Sequence, residues 1–95
     1  MDTYAIDYKV EGGKLLRVSI RVSDQTIDSV RICGDFFMHP ESAITDLEKA
    51  LEGVRLERVA DAMRRFLEEK NIEIMGFSPD DLQYAICRAC KYSAL

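Results

Sequence analysis

Tyr4, Ile6, Tyr8 and Val10 alternate with Ala5, Asp7 and Lys9, which is the period of a half-buried strand. Gly12-Gly13 breaks the run with a strong turn signal. Lys14 opens a second run, with Leu16, Val18, Ile20 and Val22 on one face and Arg17, Ser19, Arg21 and Ser23 on the other. Ser23-Asp24-Gln25 turns the chain again. A third run then places Val30 and Ile32 on one side and Ser29, Arg31 and Cys33 on the other. Three strands in a row with short connections predict an antiparallel meander. One face of it is apolar, and the other carries Lys9, Arg17, Arg21 and Arg31.

After Cys33 the period changes. Ile44, Leu47, Leu51 and Val54 fall at helical spacing, with Pro40 suited to a first helical position and Gly53 to a stop. Leu56, Val59, Ala60, Met63, Phe66 and Leu67 form the stripe of a second helix, and Asn71 suits its end. Between Ile72 and Phe77 the pattern is ambiguous, because Ile72 and Ile74 alternate but Gly76 interrupts. Ser78-Pro79-Asp80-Asp81 announces a third helix. Serine suits its cap, proline its first turn, and two carboxylates its positive end. Leu82, Ala85, Ile86 and Ala89 make its buried stripe, and Arg88 and Lys91 suit its negative end. Strands followed by helices predict an α+β two-layer sandwich in one domain over residues 1–95. In it the three-stranded meander is covered on one face by three helices.

The junction between the two halves reads Gly34-Asp35-Phe36-Phe37. Adjacent side chains on an extended backbone point to opposite sides. One phenylalanine is therefore expected to plug the end of the sandwich, and the other to leave the core and meet something else.

Composition narrows the function classes. The chain of 95 residues carries 13 basic and 17 acidic side chains, a formal charge of −4, which argues against a nucleic-acid backbone as the main partner. The first 34 residues balance five acids against five bases, so the whole acidic excess lies beyond Gly34. No stretch approaches the roughly 20 apolar residues of a membrane span. The N-terminus lacks the basic flank and apolar run of a secretory signal. Three cysteines do not make a disulfide framework, and the expected setting is reducing and cytoplasmic.

Candidate chemistry is sparse. His39 is the one histidine, so any Ser–His–Asp arrangement depends on it, while Ser42 and Ser78 sit at helix starts where capping is the competing role. Gly12-Gly13-Lys14 invites a phosphate-binding reading, but a strand follows it instead of a helix, and a hairpin turn is favoured. From that turn Lys14 can still present a point charge. Cys87-Arg88-Ala89-Cys90 has metal-ligand spacing, yet only Cys33 and His39 remain to complete a four-ligand site, and Cys33 belongs to the far sheet face. The pair also lies near a helix C-terminus, where the dipole raises a thiol pKa. The sheet arginines serve equally as solvated charges, paired with Asp7 and Asp28, or as a docking face. With no aromatic residues among them, they do not make a base-stacking surface.

These motifs together resemble a family. Gly12-Gly13-Lys14-Leu15, two strands, Gly34-Asp35-Phe36-Phe37 and the helix Leu47-Glu48-Lys49-Ala50-Leu51-Glu52-Gly53-Val54 are similar, in order and spacing, to the C-terminal accessory domain of lipoate–protein ligases. The resemblance runs from about Gly12 to about Ile86. It implies a non-catalytic domain that packs on a catalytic domain and is linked to the adenylation step. The catalytic domain binds lipoate, ATP and Mg, makes lipoyl-AMP, and transfers the lipoyl group to a carrier-protein lysine. With the accessory part alone on a chain that begins at a methionine, the resemblance implies a split ligase, an arrangement that occurs in archaea. This chain would then bind no cofactor itself, and its partner would be the catalytic subunit in a heterodimer. Carried onto this sequence, the partner-binding positions are Gly13, Lys14, Gly34, Asp35, Phe36 and Phe37, with no catalytic residue and no metal ligand. The same fold is similar to iron–sulfur scaffold proteins of the IscU and SufE kind, and Cys33-Gly34-Asp35 matches a scaffold tripeptide. The further cysteines of that pattern are missing here. A generic protein-interaction module is the third reading.

Overall fold

The computed structural model describes residues 2–10 and 12–90. Strands β1 (Asp2–Lys9), β2 (Leu15–Ser23) and β3 (Thr26–Gly34) form an antiparallel sheet in the order β1-β2-β3. The expected alternation holds through β2, where Leu16, Val18, Ile20 and Val22 are buried and the residues between them are not. The β2–β3 connection is a two-residue hairpin with Asp24 and Gln25 both at positive φ, 50° and 61°. That is a type I′ turn, whose twist matches the strands it joins. Just beyond it the register slips: Val22 pairs with Ile27, and Arg21 pairs with Ser29. Asp28 is the extra residue of a β-bulge. The bulge turns Ile27 inward beside Val30, although a strict alternation would put it outside; Ile27 is 1 % exposed.

Helices α1 (Ala43–Ala50), α2 (Val59–Lys70) and α3 (Pro79–Ala89) cover the apolar face, with a 3-10 turn at Leu56–Arg58 leading into α2. Leu47, Leu51, Met63, Leu82 and Ile86 meet Leu16, Ile20 and Ile27 in one core. Each such side chain contributes about 1.5–3 kcal/mol on burial. Two side chains close backbone gaps between layers. Glu48 accepts the Ile32 N–H at 2.7 Å, and Gln83 on α3 accepts the Ala60 N–H at the start of α2 at 2.8 Å.

The ambiguous segment resolves as a strand. Strand β5 (Glu73–Met75) pairs antiparallel with a short strand β4 (Phe37–His39), so a two-stranded ribbon sits beside the main sheet. This ribbon changes the reading of Pro40. It does not open a helix: it follows β4 in a bend, where its carbonyl accepts the Ala43 N–H at 3.0 Å, and α1 begins three residues later. The chain has to leave the ribbon before it can enter the helix. Ser42 precedes α1 but does not cap it, because its backbone is already helical (φ −62°, ψ −16°) and its hydroxyl makes no capping bond. Ser78 has the extended backbone that capping needs (φ −109°, ψ 168°), and it forms a full capping box with Asp81. Lys91, expected at the end of α3, lies outside the described residues.

Candidate functional site

Three segments far apart in sequence converge at one end of the sheet. They are the β1–β2 turn, the Gly34-Asp35-Phe36-Phe37 junction and the Met75–Phe77 stretch after β5. Two of the approaches exclude any side chain at the glycine concerned. A Cβ on Gly13 would stand 2.9 Å from the Gly76 carbonyl oxygen, and one on Gly76 would stand 2.8 Å from the Phe36 Cβ. At the junction itself, Gly34 has φ +145° and the Asp35 N–H donates to the Leu15 carbonyl at 3.0 Å. The chain thereby leaves β3 while staying tied to the first residue of β2.

The two phenylalanines diverge as their adjacency requires. Phe36 turns inward and packs edge-on against Phe77, with ring centroids 4.8 Å apart and planes at 79°. Phe37, the first residue of β4, points outward and is 58 % exposed. Opposite it on β5 is Met75, which is 71 % exposed. This cross-strand pair has no partner in the core, and large apolar side chains presented together on the surface mark interaction sites.

Phe37 separates two hollows. One, of about 540 Å³, is an open groove lined by Gly13, Lys14, Asp35, Phe37 and Met75, with Ser78 and Asp81 from the start of α3. The other, about 310 Å³, lies over Gly34, Phe36, Met38 and Ile44. Of the residues singled out in the sequence, Gly13, Lys14, Asp35 and Phe37 therefore share one groove. Gly34 and Phe36 support it from behind. Met75 was not legible as a site residue, since nothing in Ile74-Met75-Gly76 shows that the segment pairs with Phe37. An exposed methionine beside an exposed phenylalanine emerges only from the ribbon.

The remaining candidates are scattered. Cys33 is exposed on the outer face of the sheet, opposite Arg17, whereas Cys87 and Cys90 are half-buried on α3, which packs on the inner face. Burial pushes both helix thiols above the ordinary cysteine value; Glu57 adds to this at Cys87, and the Cys87 thiol adds to it at Cys90. His39 is exposed on β4, opposite Glu73. Among the described residues no group of three or more His, Cys, Asp or Glu side chains is placed to hold a metal ion. On the outer face Arg17 reaches Asp7 at 3.6 Å, while Asp28 accepts from Ser23 at 2.7 Å. No helix among the described residues is long and apolar enough to cross a membrane.

Comparison with known proteins gives this site its context. The family model of the bacterial lipoate protein ligase C-terminus matches residues 3–86. Lipoate-protein ligase A subunit 2 of Thermoplasma acidophilum is 34 % identical over 83 residues, covering 87 % of this chain and 86 % of the relative. Among solved structures, a chain from an archaeal lipoylation system of the same organism superposes with a TM-score of 0.77. That system comprises a bi-partite lipoate protein ligase and its E2 lipoyl domain; the identity is 32 %, with 90 % of this chain and 94 % of that one covered. The chain belongs to the lipoate protein ligase C-terminal domain family.

Proposed function

We propose that this chain is the non-catalytic small subunit of a two-part lipoate–protein ligase. It docks on the catalytic subunit and promotes the ATP-dependent conversion of lipoate to lipoyl-AMP, the activated form used for protein lipoylation. Lipoate, ATP and Mg belong to the catalytic subunit, and this chain contributes no group to the bond-making steps.

One observation carries the docking half of the reading. The exposed Phe37–Met75 pair stands on the rim of a groove whose floor is fixed by close backbone approach at Gly13 and Gly76. A rigid ribbon presenting two apolar side chains is suited to fill a partner pocket, because little conformational freedom is lost on binding. Lys14 and Asp35 flank the pair with one charge of each sign. They give the contact an orientation, and Lys14 can meet a partner carboxylate or a nucleotide phosphate as a point charge.

The test is lipoyl-AMP formation by the catalytic subunit with and without this chain, together with co-purification of the two. Stimulation and a one-to-one complex are expected, and both should be lost in Phe37→Ala/Met75→Ala while the fold persists. No stimulation and no complex from the wild-type chain would sink the reading.

A further inference from the structure

The two edges of the main sheet are treated differently. The β3 edge is covered in part by the chain itself: Glu48 takes the Ile32 N–H, the Val54 carbonyl takes the Ile27 N–H at 2.9 Å, and the Ile27 carbonyl takes the Gly53 N–H at 2.7 Å. Thr26 also bridges to Arg55. The β1 edge has none of this. The Val10 N–H donates to the Lys14 carbonyl at 3.0 Å, which sets the alternation of the ladder. Tyr8, Ile6 and Tyr4 direct their backbone groups to β2, and Thr3, Ala5, Asp7 and Lys9 direct theirs away. Among the described residues nothing bonds to those four outward amides. The strand is eight residues long and contains no proline and no bulge, two of the devices that blunt an edge; charge is placed along it by Asp7 and Lys9.

The inner face is unfinished on the same side. Tyr4, Ile6 and Tyr8 are half-buried, while their neighbours Leu16, Val18 and Ile20 on β2 are fully covered. This edge also continues the docking groove. Val10, just past the end of β1, lines the groove, as does Asp81 on α3. Tyr84, one turn further along α3 and 54 % exposed, places its ring 5.3 Å from that of Tyr8. Val10 thus joins Phe37 and Met75 in the groove, and the Tyr8–Tyr84 ring contact lies at the open edge.

We infer that an extended segment of the catalytic subunit adds to β1 as a fourth, outer strand. Its backbone would bond to Thr3, Ala5, Asp7 and Lys9, and its alternate apolar side chains would close over Tyr4, Ile6 and Tyr8. The inference rests on the docking partner proposed above and names how that partner is held.

Amide hydrogen exchange of the subunit, alone and in complex with the catalytic subunit, tests it. In the free subunit the four outward amides should exchange freely. In the complex they should slow by about a hundredfold, with Tyr4, Ile6 and Tyr8 little changed. This period-two pattern is particular to strand addition. Ala5→Pro removes one outward N–H and leaves the β1–β2 ladder intact. It should weaken the complex by about tenfold, the equivalent of one hydrogen bond. If that variant does not fold, the exchange pattern of the wild-type chain still decides. Protection already present in the free subunit, or protection that grows with its own concentration, would overturn the inference by assigning the edge to this chain or to a second copy. A complex whose β1 amides exchange as in the free subunit would overturn strand addition alone. Absence of any complex would overturn both readings.

Discussion

Replacing Gly34 with alanine should destabilise the domain more than alanine at any other glycine of this chain. The new Cβ would lie 2.1 Å from the Leu15 carbonyl oxygen, more than an ångström inside ordinary contact. That carbonyl is not free to move, because it accepts the Asp35 N–H at 3.0 Å. Three costs combine. Side-chain strain at φ +145° is about 1–3 kcal/mol, forced overpacking is about 1–3 kcal/mol, and loss of the Asp35 bond is about 1 kcal/mol. A total near 5 kcal/mol is expected, against about 5–14 kcal/mol for a domain of this length. The melting temperature should fall by roughly 20–40 °C. Gly53→Ala is the control: its φ is +83°, but nothing lies within 4 Å of the added Cβ, so only the conformational cost of about 1–2 kcal/mol applies. Urea unfolding of the two variants measures the difference. Equal losses, or a Gly34→Ala loss below about 1 kcal/mol, would refute the steric argument and the claim that this junction is rigid.

Other substitutions separate the structural from the docking residues. Phe36→Ala should cost about 2–4 kcal/mol in unfolding free energy, since its ring packs against Phe77, whereas Met75→Ala should cost under about 1 kcal/mol and act instead on the affinity for the catalytic subunit. Glu48→Ala should lose about 1–3 kcal/mol by leaving the Ile32 amide without its acceptor, and hydrogen exchange at that amide should accelerate accordingly. The raised thiol pKa values of Cys87 and Cys90 mean that the unfolded chain releases these protons first. Their contribution to stability is therefore fully present below the ordinary thiol range and declines as pH rises through and above it. Denaturation of Cys87→Ala/Cys90→Ala across that range should show a flatter decline than the wild type, and an identical decline would contradict the assignment.

Where local chemistry decides an element, the sequence was readable. Alternation alone locates β1 and β2, and Ser78-Pro79-Asp80-Asp81 marks the start of α3 to the residue, because capping depends on groups three positions apart. The errors arise where a distant segment decides. Pro40 and Ser42 look like a helix start, but β4 occupies the chain up to His39 because β5 offers it a partner. Ile27 differs, because a local device turns it inward: the bulge at Asp28 beside the Asp24-Gln25 turn. A three-residue strand has too little periodicity of its own to be seen without its partner.

The site follows the same rule. Phe36 and Phe37 had to diverge, because neighbouring side chains on an extended backbone do, and the rings are found inside and outside as expected. Which surface the outer ring joins could not be read from the junction, because Met75 comes from a segment 38 residues further on (75 − 37 = 38) that is held in register by β4–β5 pairing. Gly13 and Gly76 show the same dependence from the other direction. At Gly13 the space for a Cβ is taken by the Gly76 carbonyl oxygen and by neighbouring Val10, while at Gly76 a φ of +118° already favours glycine and Phe36 and Lys14 fill the space from other segments. A change at Gly76 should therefore disturb Phe36 and Lys14 together, as the two atoms that a Cβ there would press against at 2.8 and 3.2 Å belong to those residues. Gly76→Ala should both lower stability and weaken docking, while Met75→Ala weakens docking alone. If Gly76→Ala bound the catalytic subunit with wild-type affinity, the groove would not be the rigid platform that this convergence makes it.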